Sequence, residues 1–304
     1  MGLVHNHNHR NNEVKSKNII LAVILNFIIA IIEIIGGLLS NSFALLSDAL
    51  HNFGDAIAIF LTYISNRISK RSPTIEKTFG FKRVEILAAM INSIGMVVIC
   101  VYLILQAFER LKHPRTDING VMIVIIAALS LIANFIAIAF LFRDKNKNLN
   151  VKAAYLHMLG DVFSSAIVLL GGIFIYRYKI FWLDAVLTFI IGIYIFKEAW
   201  YILKQAYLIL IQATPGELDL IKVKNRIESF IDVENVHHIH AWNLNDSQIH
   251  FECHIDLNND LKISETENIL YKIKQLLKED FNIAHTTVQF EYNSCDDKSI
   301  IKNI

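Results

Sequence analysis

Six long apolar runs, at residues 19–39, 43–65, 84–108, 120–142, 151–176 and 181–203, dominate the first two thirds of the chain. At about 1.5 Å of rise per residue, each can cross a hydrocarbon core of roughly 30 Å, so six transmembrane helices are expected. None has the short apolar core and small-residue cleavage site of a removable signal peptide, so the first run is read as a retained helix. After about residue 213 the apolar positions become periodic instead of continuous. Thr214-Pro215-Gly216-Glu217 has the form of a helix start, followed by Leu220, Val223, Ile227 and Phe230 at helical spacing. Ser264 with Glu267 forms a second capping pair, ahead of a stripe of Ile269, Ile273, Leu276 and Leu277. Three strands are expected at 236–242, 249–257 and 287–292. In 249–257 the alternation is strict, with Ile249, Phe251, Cys253, Ile255 and Leu257 on one face and His250, Glu252, His254 and Asp256 on the other. The order helix, strand, strand, helix, strand predicts a small α+β domain whose helices cover the apolar sheet face.

The composition agrees with a membrane protein: 54% of the 304 residues are hydrophobic and only 3 are proline. The expected organisation is an N-terminal tail at 1–18, a six-helix transmembrane domain at 19–212, a soluble domain at 213–292 and a tail at 293–304. Thirteen Lys and Arg lie in 1–18, 66–83 and 143–152, against five in the connections of the opposite side, which puts both termini in the cytoplasm. Residues 1–212 carry a net charge of +8 and residues 213–304 one of −7, so the near-neutral total conceals two opposite halves. An acidic domain of this kind attracts cations or the basic loops, or is simply a solvated surface. Cys100, Cys253 and Cys295 are too scattered for a disulfide framework and fit reduced thiols.

The second run carries Asp48, His51 and Asp55, and the fifth carries His157 and Asp161. Positions three, four and seven apart share a helix face, so these side chains form polar stripes on two helices. A carboxylate near the bilayer centre costs roughly 3 kcal/mol on insertion scales, so such residues face a bundle interior or a water-filled cavity. Two H-x-x-x-D pairs supply two imidazoles and two carboxylates, the donor set of a tetrahedral divalent cation. With Zn²⁺ bound, two aspartates and two neutral histidines sum to zero. With the metal gone, protonating both histidines restores zero, which suits an exchange of metal for up to two protons. Two other readings stand beside transport. Polar contact between helices is done at lower cost by Ser, Thr and Asn. An intramembrane metalloenzyme would need an open metal position and a general base, and no H-E-x-x-H is present. In the soluble domain, strand parity gathers His238, His240, His250, His254, His285 and Glu291 on the face away from the helices, a second candidate metal surface. The alternative there is a polar, partner-facing sheet.

Several segments together resemble the cation diffusion facilitator family, from about residue 17 to 292: "SNSFALLSDALHNFGDA" at 41–57, "HMLGD" at 157–161, "TFGFKRVEILAA" at 78–89, "VHHIHAWNL" at 236–244 and "HTTVQFE" at 285–291. The resemblance implies a non-enzymatic, proton-coupled exporter of zinc and related divalent metals, with six helices and a cytoplasmic metallochaperone-like domain. It implies that His51, Asp55, His157 and Asp161 bind the transported ion, with histidine at the first position accompanying zinc preference. It further implies that His240, His254, His285 and Glu291 hold a regulatory metal, that the chain is a homodimer, and that flux is outward. Zn²⁺ is the expected cargo and the expected regulatory ion, with Cd²⁺, Co²⁺ and Fe²⁺ open as competitors. Metal ions, protons and the lipid bilayer are the expected partners, with no nucleic acid. Ile, Asn and Lys richness points to an AT-rich bacterial source and hence to an inner membrane.

Two features depart from the family pattern: 143–152 lacks a histidine-rich insert, and 66–83 lacks histidine altogether. His5, His7 and His9 instead offer either a metal-collecting or a merely unstructured tail. Glu33 could pair with a cation, accept protons or bond a neighbouring helix. Asn26 and Asn134 are read as interhelical contacts, Asp48 as an entry or helix-capping residue, Arg83 and Glu85 as helix-end contacts, and Gly36, Gly37, Gly171 and Gly172 as close-packing positions. A membrane-anchored metal sensor, whose spans only anchor and dimerise, is the second functional class.

Overall fold

Each of the six apolar runs becomes one helix in the computed structural model, which describes residues 10–113, 116–142, 149–294 and 297–301. The helices are α1 (Arg10–Ser40), α2 (Phe43–Ser69), α3 (Val84–Lys112), α4 (Gly120–Phe142), α5 (Leu149–Tyr178) and α6 (Trp182–Leu210). Five contain a stretch long and apolar enough to cross a bilayer, namely Phe43–Ser69, Val84–Lys112, Gly120–Ala139, Tyr155–Tyr178 and Trp182–Leu210; the corresponding stretch of α1, Ile24–Ser40, is shorter. Helix α1 starts at Arg10, inside the segment expected to be a tail, and His5, His7 and His9 lie outside the described residues.

Polarity in the bundle is inverted relative to a water-soluble protein. Leu38, Leu39, Phe60 and Leu105 are exposed, while Glu33, Asp48, Asn52, Asn134, Asp161 and Asp184 are buried. Lipid solvates apolar side chains as well as a protein core does, so helices associate through close packing and polar contacts. Both devices meet on α4, which packs along α1 and α5. A Cβ at Gly36 would lie 2.0 Å from the Ile126 side chain, and one at Gly172 2.7 Å from that of Ile123, so a larger residue at either position would force its neighbour on α4 to shift. Asn134 donates to Ser165 Oγ at 3.1 Å, joining α4 to α5 as its interhelical reading requires.

The chain divides into two compact units, Met1–Tyr63 with Ile91–Ile202, and Ile64–Met90 with Leu203–Ile304. In the second, α7 (Leu220–Glu228), β1 (Val233–Asn243), β2 (Ile249–Leu257), α8 (Ile263–Phe281) and β3 (Ile283–Glu291) follow the expected order. The sheet order is β1-β2-β3, with β1 antiparallel and β3 parallel to β2. Helices α7 and α8 pack on β1 and β3. Val223, Ile227, Val236, Ile239, Phe251, Cys253, Ile255, Ile273 and Leu277 form the shared core. Burial pushes the Cys253 thiol up to about 12, so this cysteine is an apolar core member and not a thiolate ligand.

Three local expectations are corrected. The first helix does not begin at Thr214: Pro215 to Leu218 makes one turn, and α7 starts after Asp219, whose carboxylate accepts from the Ile221 and Lys222 N–H groups at 3.1 and 3.2 Å. One aspartate satisfying two orphan donors outcompetes the earlier capping pattern. The second capping pair is not Ser264 with Glu267, because α8 begins after Lys262, whose N–H donates to Glu265 Oε2 at 2.7 Å. Strand β3 runs from Ile283 to Glu291, so His285 lies within it and Tyr292 beyond it.

Candidate metal centres

Residues four apart stack on one helix face, so α2 presents His51 beside Asp55 and α5 presents His157 beside Asp161. The two faces meet. His51 Nδ1 lies 3.6 Å from Asp55 Oδ2, His51 Nε2 3.7 Å from Asp161 Oδ1, and His157 Nε2 3.2 Å from Asp55 Oδ2. The two imidazole centroids are 6.0 Å apart. One ligand atom each from His51, Asp55 and Asp161 falls within 4.8 Å of the others. Asp161 Oδ2 is buried without a hydrogen-bond donor, a gap that a cation or a proton would fill. The side chains of His51 and Asp161 are 7% and 1% exposed, but those of His157 and Asp55 are 43% and 27%. The group is therefore dry at His51 and Asp161 and open at His157 and Asp55. From α6, Tyr194 sets its ring edge against His51, with centroids 6.3 Å apart.

The end of α2 near Ser42 is fixed by a buried anion on α6. Asp184 accepts from Ser42 Oγ at 2.5 Å and from the Phe43 and Ala44 N–H groups at 3.0 and 3.3 Å. Arg110 of α3 pairs with Asp184 at 3.2 Å, donates to the Asn41 carbonyl and side-chain oxygens at 2.7 Å each, and lies over the Phe43 ring. Ser42 Oγ also accepts from Leu45 N–H at 3.2 Å, so Ser42 and Asp184 together cap α2. Asp48 is not a capping residue: it lies inside the helix and accepts from Ser164 and Ser165 of α5 at 2.5 and 3.0 Å. At the other end of α2, Glu85 accepts from Ser69 Oγ, the helix-end contact anticipated for it.

The histidines of the soluble domain fall into two groups. His254 Nδ1 lies 2.7 Å from Glu291 Oε1, His237 Nε2 lies 3.3 Å from Glu291 Oε2, and the ring centroids of His237, His238 and His254 are separated by 4.7 to 5.6 Å. His237 is fully buried, yet neither ring nitrogen has a hydrogen-bond partner. The geometry suits a metal: an imidazole sealed from water with free nitrogens, beside a second imidazole and a carboxylate, lacks only a common acceptor of its lone pairs. The second group lies at the other end of β2, where His250 sits 4.8 Å from His285 and stacks on Trp242 at 5.5 Å. Burial, then the neighbouring His285, holds the His250 imidazole below its usual range.

The expected set His240, His254, His285 and Glu291 is thus brought together only in part. His254 and Glu291 meet. His240 stands opposite Glu252, and His285 opposite His250, four residues or about 13 Å along β2 from His254. A bulge explains the exchange of partners: His237 pairs with His254 and His240 with Glu252, leaving two residues of β1 against one of β2, with His238 at a φ of 49°. The extra residue turns His237 onto the polar face, where strict alternation would not place it. The bulge is held by residues 299–300, whose carbonyls accept from the His238 and Ile239 N–H groups at 3.1 and 2.7 Å.

Residues 19–211 match the family model described as the cation efflux transmembrane domain, and residues 215–293 match that of the cation efflux protein cytoplasmic domain. The chain belongs to the cation diffusion facilitator family. A cadmium, cobalt and zinc/H(+)-K(+) antiporter of Bacillus velezensis is 34% identical over 289 residues, covering 94% of this chain and 91% of that protein. The metal cation efflux system protein CzcD of Cupriavidus metallidurans is 33% identical over 296 residues, covering 97% and 92%. The zinc transporter ZitB of Escherichia coli is 31% identical over 299 residues, covering 96% and 94%. Among solved structures, a metal-bound C-terminal domain of the CzcD transporter matches at 31% identity, 24% coverage of this chain, 99% coverage of that chain and a TM-score of 0.22. This cation diffusion facilitator is therefore an integral membrane protein of divalent cation efflux, and the two candidate centres fall one in each matched domain.

Sequence reasoning overlooked His237, Tyr194 and the Asp184–Arg110 pair. The adjacent histidines in "VHHIH" were a signal for the first, since histidine is among the side chains that tolerate a positive φ at a bulge. An isolated aspartate in the opening turn of an apolar helix was the signal for Asp184. Tyr194 left none.

Proposed function

We propose that the protein exports divalent metal ions, Zn²⁺ foremost, from the cytoplasm in exchange for protons, by alternating access through His51, Asp55, His157 and Asp161. The convergence of these four side chains from α2 and α5 is the observation that carries the reading. Two carboxylates neutralise the ion in lipid, and two imidazoles take its place as proton carriers when it leaves. His157 and Asp55 are the exposed members of the quartet, so an ion reaches the site through them. Six spans with both termini cytoplasmic accord with the charge asymmetry and with the 31 residues of α1. The names of the relatives favour Zn²⁺, Cd²⁺ and Co²⁺ as cargo and an inner-membrane address.

In reconstituted vesicles containing a zinc-sensitive dye, an imposed proton gradient should drive Zn²⁺ accumulation on the side from which protons leave. Collapsing the gradient should halt it. A flux indifferent to the gradient would refute exchange.

The soluble domain is read as a regulatory metal module and, from its family, as a dimerisation module. His237, His238, His254 and Glu291 would hold the ion, with His240 and His285 outside its reach in one protomer. Replacing His237 with alanine in full-length protein whose membrane site is neutralised should weaken residual Zn²⁺ binding about 10- to 100-fold. Replacing His285 should change it by no more than about 3-fold, a shift small beside the loss of a supporting group. Equal losses in the two variants would reassign the centre. A membrane-anchored sensor, the second reading, gains from the well-formed His237 cluster but leaves the membrane quartet without a purpose.

A further inference from the structure

One cavity lies apart from both candidate metal centres. It measures about 280 Å³ and is lined by Phe79, Gly80, Lys82 and Arg83 of the α2–α3 connection, by Gln212 just after α6, and by Trp242 near the end of β1, all in the second compact unit. Gly80, at a φ of 68° and with its N–H on the Lys77 carbonyl at 2.8 Å, closes the turn that precedes Lys82 and Arg83. Trp242 stacks on the His250 imidazole and Phe79 meets the same imidazole edge-on, each with centroids 5.5 Å apart, so the aromatic wall joins the connection to the sheet. The polar lining is one-sided: no carboxylate is part of it. Lys82 and Arg83 are both half-buried, yet among the described residues neither side chain has a hydrogen bond or an ion pair, and nor does the Gln212 amide or the Trp242 indole N–H. Lys77, by contrast, is taken up over the Phe81 ring at 4.4 Å. Two cations drawn partly out of water call for an anion, and the described residues supply none.

We propose that this cavity binds the phosphate of an anionic lipid headgroup, with Lys82 and Arg83 as its charge partners and Trp242 as its apolar wall. The cavity's place in the chain favours a lipid over a free anion. Arg83 directly precedes α3, and Gln212 follows α6 by two residues. Each of these helices has 29 residues, roughly 44 Å at 1.5 Å per residue, which matches a bilayer of about 40–45 Å including its headgroups. Their ends therefore reach headgroup depth, the level at which tryptophan is enriched. Six Lys and Arg fall in residues 66–83 against one acid, Glu76, and a basic cluster of that size beside a spanning helix attracts anionic lipids. The guanidinium offers a planar fork to phosphate oxygens and the ammonium a compact charge. The volume sits at the small end of ligand cavities, which run from about 300 to 1,000 Å³, so it holds a headgroup and leaves the acyl chains in the bilayer. A bound headgroup would touch the α2–α3 connection and β1 together. The site shares no residue with the transport quartet or with the His237 cluster, and does not depend on either.

Calorimetric titration of the detergent-solubilised full-length protein with short-chain phosphatidylglycerol tests this. Detergent removes the charged membrane surface, so only a localised site should respond. Binding should saturate, and phosphatidylcholine, whose phosphate is balanced by its own ammonium, should bind about 10-fold more weakly. Lys82→Ala and Arg83→Ala should each weaken phosphatidylglycerol about 5-fold, and the double variant about 25-fold. Lys70→Ala with Arg71→Ala removes the same charge from exposed positions outside the cavity and should change binding by no more than about 3-fold. Equal losses in the two double variants would overturn the proposal, leaving a diffuse attraction to a basic connection. Inorganic phosphate that displaced the lipid at equal concentration would overturn it too, and make the cavity a site for free anions. Gel filtration reports assembly, and the two single variants carry the test if the double variant does not assemble.

Discussion

Asp161→Ala and His51→Ala should each abolish metal transport, with a loss on the order of 100-fold or more, because even groups that only orient a metal ligand are worth 10- to 100-fold. The charge arithmetic makes the aspartate the harsher case. In the proposed site the intact quartet would hold a divalent ion at zero net charge, whereas the alanine variant would strand one positive charge among α2 and α5, away from water. Asp161 is 1% exposed and stands 3.7 Å from His51, so no solvent replaces the lost carboxylate. The helices should remain assembled, since the α4–α5 contact depends on Ser130, Asn134 and Ser165 and on Gly172. Dye-loaded vesicles measure the flux, and size-exclusion behaviour in detergent reports the fold. Near-normal flux in either variant would remove the quartet from the pathway and favour the sensor reading.

Much of this was legible because the relevant periods are short. The spans follow from run length alone, and the H-x-x-x-D pairs from the four-residue stacking of one helix. That α2 and α5 face each other was suggested only by the need to pair their donors. Strand β2 was read to its limits, 249–257, because its alternation is strict on a sheet with one covered face. Where the local pattern competes with a distant partner, reading failed. His237 sits in a run whose alternation points it inward, and only the β1 bulge, gripped by residues 299–300, turns it towards His254. His285 was grouped with Glu291 because they share a strand face, but the parallel register carries it to His250 instead. Thr214 offered a reasonable cap, and Asp219, five residues on, a better one.

The position of Asp184 carried a signal but its role did not, for the same reason: its partners lie more than seventy residues away. It carries the other large expected effect. Asp184→Ala removes the anion that neutralises Arg110, while the guanidinium stays buried over Phe43 and beside Asn41. Breaking a buried pair from one side costs about 3–5 kcal/mol, so the detergent-solubilised protein should lose on the order of 10 °C in its unfolding midpoint. Replacing both partners, Asp184→Leu with Arg110→Met, removes the uncompensated charge and should recover most of the loss. It should not recover all of it, because the Phe43 and Ala44 N–H groups still lack their acceptor, a capping deficit of about 1 kcal/mol. The remainder also predicts a functional defect. A frayed first turn frees α2 to shift along its axis, and His51 and Asp55 lie only two to three turns further on. Transport should therefore stay depressed in the double variant even where its stability returns. Full recovery of both would mean that Asp184 serves Arg110 alone and does not hold α2, with His51 and Asp55, in register.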